Sequence, residues 1–102
     1  MTRKPQIIGD IYSHKHIKNN GDIVDIKIEQ VEKNDQFSEG VRYSLSYIRN
    51  GRTVVRYDNH AGHQHHKHIR TKRQPYEFVD EWQLIDDFRE DLRELGIDLD
   101  SA

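Results

Sequence analysis

The chain has 102 residues, no cysteine and a formal net charge of −2. That length fits a single domain over residues 1–102. Its apolar residues with glycine come to about a third of the chain, against roughly 45–50% in an average domain, while Leu, Ile, Val and Phe stay above the level at which disorder becomes the default, so a thin core is expected. No apolar run exceeds two residues, which excludes a transmembrane helix. The absence of Cys excludes disulfides and thiolate metal sites. The first ten residues hold no apolar stretch like that of a secretory leader, so the cytoplasm is the expected location.

The first two-thirds reads as strands. Ile7 to Ile17 is Ile-rich with polar partners, and Asn19-Asn20-Gly21-Asp22 supplies turn chemistry after it. Val24, Ile26 and Ile28 then alternate with Asp25, Lys27 and Glu29, the period of a strand with one dry face. Lys33 to Gly40 is a polar loop. Val41, Tyr43, Leu45 and Tyr47 alternate with Arg42, Ser44 and Ser46. Asn50-Gly51 announces a hairpin, for which a three-residue Arg49-Asn50-Gly51 loop is expected. That loop opposes Tyr43 to Tyr57 and Leu45 to Val55, with Arg42, Ser44, Arg56 and Asp58 on the other face.

From Asn59 to Gln74 only Ala61 and Ile69 are apolar, which suits a loop or edge strand. Pro75-Tyr76-Glu77-Phe78 reads as a short extended segment. The period then changes. Trp82, Ile85, Phe88, Leu92 and Leu95 mark one face of an amphipathic helix over about residues 80–95. Asp80 with Gln83 resembles a capping box, and Gly96 suits the position just past the helix. The expected fold is α+β: an antiparallel β-meander of four or five strands within about residues 7–78, packed on one face by this C-terminal helix. Tyr43, Leu45, Val55 and Tyr57 are expected to lie under Trp82, Ile85 and Phe88.

Charge is unevenly spread. Residues 41–73 hold eight basic residues against Asp58 alone, and residues 74–102 hold ten acidic ones against Arg89 and Arg93. Either the basic middle meets an anionic partner, or the two regions neutralise each other in the fold. Five of the seven histidines fall in the basic stretch: His60, His63, His65, His66 and His68. Almost nothing apolar surrounds them, so core duty is not their expected role, and folding should survive their loss. On an extended segment His66 and His68 share one side. Such a pair suits acid–base exchange near neutral pH, ligation of a divalent metal, or phosphate contact from a solvated loop. The spacing matches no recognised zinc signature. Arg56, Lys67, Arg70, Lys72 and Arg73 stand around the pair, and Tyr57 and Tyr76 fit either base stacking or burial with a wet hydroxyl, the latter favoured.

Tyr57-Asp58-Asn59, followed by Gly62, the His66-Lys67-His68 pattern, Pro75-Tyr76-Glu77-Phe78 and an acidic Leu-bearing helix, resembles the TumE family of toxin–antitoxin systems over about residues 23–95. His60, His63 and His65 lie outside that pattern, which moves attention to His66 and His68. The resemblance implies a small intracellular toxin, neutralised by a helix-turn-helix antitoxin from the same operon. It implies no mechanism.

The leading expectation is therefore a toxin acting on RNA as a metal-independent ribonuclease. Asp58, His66 and His68 are its candidate catalytic residues, and Arg56, Asn59, Lys67, Arg70, Lys72 and Arg73 its RNA-binding ones. No cofactor is required, although a divalent metal at the histidine cluster stays open. The alternatives are a non-catalytic nucleic-acid- or protein-binding module and a small His-rich metal-binding protein.

Overall fold

The computed structural model describes residues 7–35, 37–59 and 65–101, so His60, Gly62 and His63 lie outside the described residues. Strands β1 (Ile7–Ile17), β2 (Ile23–Val31), β3 (Val41–Arg49), β4 (Arg52–Asp58), β5 (His66–Ile69) and β6 (Lys72–Pro75) precede helix α1 (Glu81–Glu94). The strands form one antiparallel meander in the order of the chain. Among the described residues there are thus six strands rather than four or five. The additional one, β6, carries Lys72, Arg73 and Gln74 and no residue of the buried core, so hydrophobic periodicity gives no sign of it.

Alternation sorts the sheet into two faces. Val24, Ile26, Ile28, Tyr43, Leu45, Tyr47, Val55 and Tyr57 point to one side, where α1 covers them with Leu84, Phe88 and Leu92. Tyr57 meets Phe88 edge-on, with ring centroids 5.9 Å apart. The other side is polar. Next to the Asn19–Asp22 turn, the Asp22 carboxylate accepts from Arg49 at 2.8 Å and from the Tyr47 hydroxyl at 2.5 Å. The Arg49 contact is the chief reason its pKa falls to about 2, against the cost of burial.

The β3–β4 hairpin departs from the expected register. Asn50 and Gly51 both have positive φ, at 53° and 74°, as a two-residue type I′ turn requires. Arg49 therefore faces Arg52 and Ile48 faces Thr53. Val54 then bulges out of β4, so Tyr47 opposes Val55 and Leu45 opposes Tyr57. The expected three-residue loop keeps the same faces but misplaces the pairing by two residues. Parity is restored in the strand by the bulge and not in the loop.

Both helix ends follow their caps. The Asp80 side chain accepts from the Gln83 N–H at 2.8 Å, while the Gln83 side-chain amide turns to Asp87 instead of completing the box. At the other end the Gly96 N–H donates to the Arg93 carbonyl and the Ile97 N–H to that of Leu92, a Schellman arrangement with Gly96 at φ 79°. The buried stripe is not the expected one. Leu84 fills the place given to Trp82, which is 60% exposed, and Ile85 and Leu95 sit at the core's margin. Spacings of three and four connect both sets, so periodicity alone does not choose between Trp82 and Leu84. Trp82→Ala should consequently change stability by less than about 0.5 kcal/mol, as for a surface position. Urea unfolding checks this, and a loss of several kcal/mol would put Trp82 back in the core. Among the described residues, no helix is long and apolar enough to cross a membrane.

Candidate functional site

Asp58, His66, His68, Arg56 and Arg73 gather on the polar face of the sheet, opposite the helix. Strand β5 pairs with β4 so that His66 lies across from Asp58 and His68 from Arg56. Directly opposed residues of an antiparallel pair share a face. Strand β6 adds Arg73 across from His68. One cross-strand row therefore reads Ser46, Arg56, His68, Arg73, and the next reads Ser44, Asp58, His66.

Asp58 is the hub of this group. One carboxylate oxygen lies 3.1 Å from His66 Nε2 and the other 2.8 Å from Arg56 Nε. The His66 and Asp58 side chains are only 12% and 8% exposed, so water screens their pair weakly. The His66 and His68 rings meet edge-on with centroids 5.1 Å apart. The pKa of His68 lies below its ordinary 6.5: burial disfavours its charge first and the neighbouring His66 second, Asp58 opposes them, and the Arg73 and Arg56 guanidiniums add to the lowering. The two imidazoles thus differ. His66 is held against a carboxylate, and His68 is biased towards the neutral form. Two imidazoles in unlike surroundings side by side are the kind of arrangement that acid–base exchange uses.

Other candidates are placed elsewhere. Lys67 faces the helix, where its Nζ meets Asp91 at 3.0 Å and lies 5.6 Å from the centre of the Tyr57 ring. Tyr57 is fully buried and donates its hydroxyl to Asp91, and the half-buried Tyr76 donates to Asp87 at 2.5 Å. Burial first, and these carboxylates second, raise both phenol pKa values, so the favoured reading of the tyrosines fits. Asn59 is 2% exposed, and its side chain is spent on the sheet: the amide oxygen accepts from the Tyr43 N–H at 2.9 Å and the NH2 donates to the Val41 carbonyl at 2.8 Å. Lys72, opposite Ile69, shares its face with Lys67, not with the histidines. Arg70 sits at the tip of the β5–β6 hairpin.

His65 also differs from expectation. Its ring stacks on Tyr43 and Phe78, at centroid distances of 5.6 and 5.0 Å. Its Nε2 lies 3.1 Å from the Glu39 carboxylate, and its Nδ1 is hydrogen-bonded to the Tyr43 hydroxyl at 2.8 Å. Burial works to raise the Glu39 carboxyl, but the hydrogen bond from His65 leaves it below its ordinary value. His65 is packed structure, and its loss is not neutral for the fold. Its partners Tyr43, Phe78 and Glu39 lie 13 or more residues away, which is why local composition gives no hint of it. Among the described residues, no group of three or more His, Asp or Glu side chains is arranged to hold a metal ion.

A protein-family model described as Toxin TumE matches residues 3–95, nearly the whole chain. The chain belongs to the TumE toxin family. The match takes in every strand and the helix, so the TumE assignment covers the polar face with its histidines as well as the core. Membership of a toxin family implies an antitoxin as partner. No curated protein and no solved structure matches the chain.

Proposed function

We propose that the protein is the toxin of a toxin–antitoxin system and acts on RNA as a ribonuclease that needs no metal, restrained by a helix-turn-helix antitoxin encoded beside it. The observation that carries the reading is the Asp58–His66 pair, with the His68 ring centre 5.1 Å from that of His66, flanked by Arg56 and Arg73 on the polar face. His68 takes the proton of a ribose 2′-hydroxyl, whose oxygen attacks the adjacent phosphorus. The bond from phosphorus to the 5′-oxygen breaks, and His66 protonates that leaving oxygen. The products are a 2′,3′-cyclic phosphate and a 5′-hydroxyl end. Asp58 is a positioning residue that orients His66 and pairs with Arg56, and Arg73 holds the phosphate and offsets the charge that builds on it.

Incubating the purified protein with RNA, with and without chelator, tests this. Cleavage that survives chelation and leaves cyclic phosphate ends is expected. Loss of cleavage with chelator would make the chemistry metal-dependent, and binding without cleavage would leave a binding module. Affinity should also fall steeply with salt, with a log–log slope near −0.7 for each phosphate neutralised on a single strand. An affinity unchanged between low and moderate salt would mean that the basic residues only balance the acidic helix.

A further inference from the structure

One end of the sheet carries a groove that the histidine face does not use. The Asn50-Gly51 turn lies beside the Arg70-Thr71 turn because Val55 of β4 pairs with Ile69 of β5, and the Arg70 N–H donates to the carbonyl of the bulged Val54 at 2.7 Å. Arg49, Arg52 and Arg70 line the groove together with Asn50, Thr53 and Thr71. Arg49 is already engaged by Asp22. Arg52 and Arg70 are exposed and, among the described residues, form no ion pair with a carboxylate.

Arg70 carries a second signal. Its φ is +56°, in the left-handed region that Gly and Asn tolerate and arginine rarely adopts. A turn here is satisfied by Gly without strain, so the side chain, not the backbone, accounts for an arginine at the tip. Two unneutralised guanidinium forks beside threonine hydroxyls suit a phosphodiester, which accepts from each fork in its own plane. Position fits as well: Arg70 follows His68 by two residues, about 7 Å along an extended strand.

We propose that this groove is a phosphate-binding subsite for single-stranded RNA, gripping a phosphodiester next to the one placed over His66 and His68. The reading of those histidines as the cleavage site is taken from the proposed function, but the groove's affinity for a phosphodiester does not depend on it. The strand runs off the histidine face past Arg73 and round the end of the sheet to Arg70 and Arg52. Short substrates that stop at the scissile phosphate are held less well than longer strands.

The test is a nuclear magnetic resonance titration of the whole protein with a 2′-O-methyl oligoribonucleotide of several residues, which binds but cannot be cleaved. Signals from the arginine Nε–H groups and the histidine rings are followed together. Shifts at Arg52, Arg70, His66 and His68 are the expected result. Shifts at the histidines alone overturn the groove and leave the ribonuclease reading standing. Shifts at the arginines alone keep the groove and remove the catalytic placement, and shifts at neither overturn both. A paired variant, Arg52→Ala with Arg70→Gly, supplies a second reading, since Gly suits the left-handed turn and the fold should hold. It should bind the oligonucleotide at least tenfold more weakly, with a shallower salt slope, and wild-type affinity would overturn the proposal.

Discussion

Replacing His66 or His68 by alanine should lower RNA cleavage roughly 10²–10⁴-fold, the usual weight of a general acid or base. The expectation rests on unequal surroundings. His66 Nε2 lies 3.1 Å from one oxygen of Asp58, whose second oxygen is held by Arg56, so the ring is fixed in direction. His68 stands between Arg56 and Arg73 on the neighbouring strands, with no carboxylate opposite it. Because the pKa of His68 lies below 6.5, its neutral, proton-accepting form persists below that pH. The acid limb of kcat/KM should accordingly fall below pH 6.5, and His68→Ala should abolish that limb. Asp58→Asn should keep the fold and cut cleavage less than loss of His66, since it removes orientation and charge but not the proton donor. Cleavage of a defined oligoribonucleotide across pH, with circular dichroism as a check on folding, measures all of these. A folded His66→Ala, His68→Ala double variant that cleaves RNA or arrests growth like the parent would remove the catalytic assignment.

Much of this architecture is legible along the chain because local rules and the fold agree there. The alternation from Val24 to Ile28 and from Val41 to Tyr47 needs only one dry face to be read correctly. Asp80 and Gly96 mark the helix by chemistry confined to its own ends. Three features are set by partners distant in sequence. Strand β6 exists because β5 offers it a hydrogen-bonding edge, not because its side chains seek a core. Leu84 takes the buried place over Trp82 through packing into the core against the sheet that helical spacing does not encode. The Val54 bulge returns the hairpin to a dry face after a two-residue turn, and a loop one residue longer satisfies the same pattern.

The site divides along the same line. His66 and His68 are placed on one side by simple alternation, but what joins them to Asp58, Arg56 and Arg73 is the register across three strands. Lys67 falls between the two histidines, so the same alternation that unites them sends it to Asp91 under the helix. Its charge helps to dock α1, and the acidic helix neutralises part of the basic middle of the chain. Arg56 is spent on Asp58. Among the described residues of the basic middle, Arg52, Arg70, Lys72 and Arg73 form no ion pair and are left to meet an anion, a smaller and better-defined set than composition suggests.

Asn59→Ala should be among the most destabilising single changes in the chain, by roughly 2–5 kcal/mol, although Asn59 carries no charge and lies outside every strand. Pairing of β3 with β4 stops at Ser44 and Asp58. Beyond it the Tyr43 N–H and the Val41 carbonyl still point towards the place a longer β4 would occupy, and the Asn59 side chain supplies both the acceptor and the donor. An amide mimics the missing peptide group, which neither a hydroxyl nor a carboxylate does. Alanine leaves a buried N–H and a buried C=O unmatched at once, each costing about 1–3 kcal/mol, against a total stability of roughly 5–15 kcal/mol for a domain. Asn59→Asp keeps the acceptor but sets a buried carboxylate oxygen against the Val41 carbonyl, so at neutral pH a loss at least as large is expected from it. The measurement is the denaturation midpoint, read with RNA affinity under conditions where the variant is folded. A fall in stability with unchanged affinity of the folded protein is the expected pattern. Unchanged stability with lost affinity would instead make the Asn59 amide a contact to RNA, and would require its two bonds to β3 to open when RNA binds.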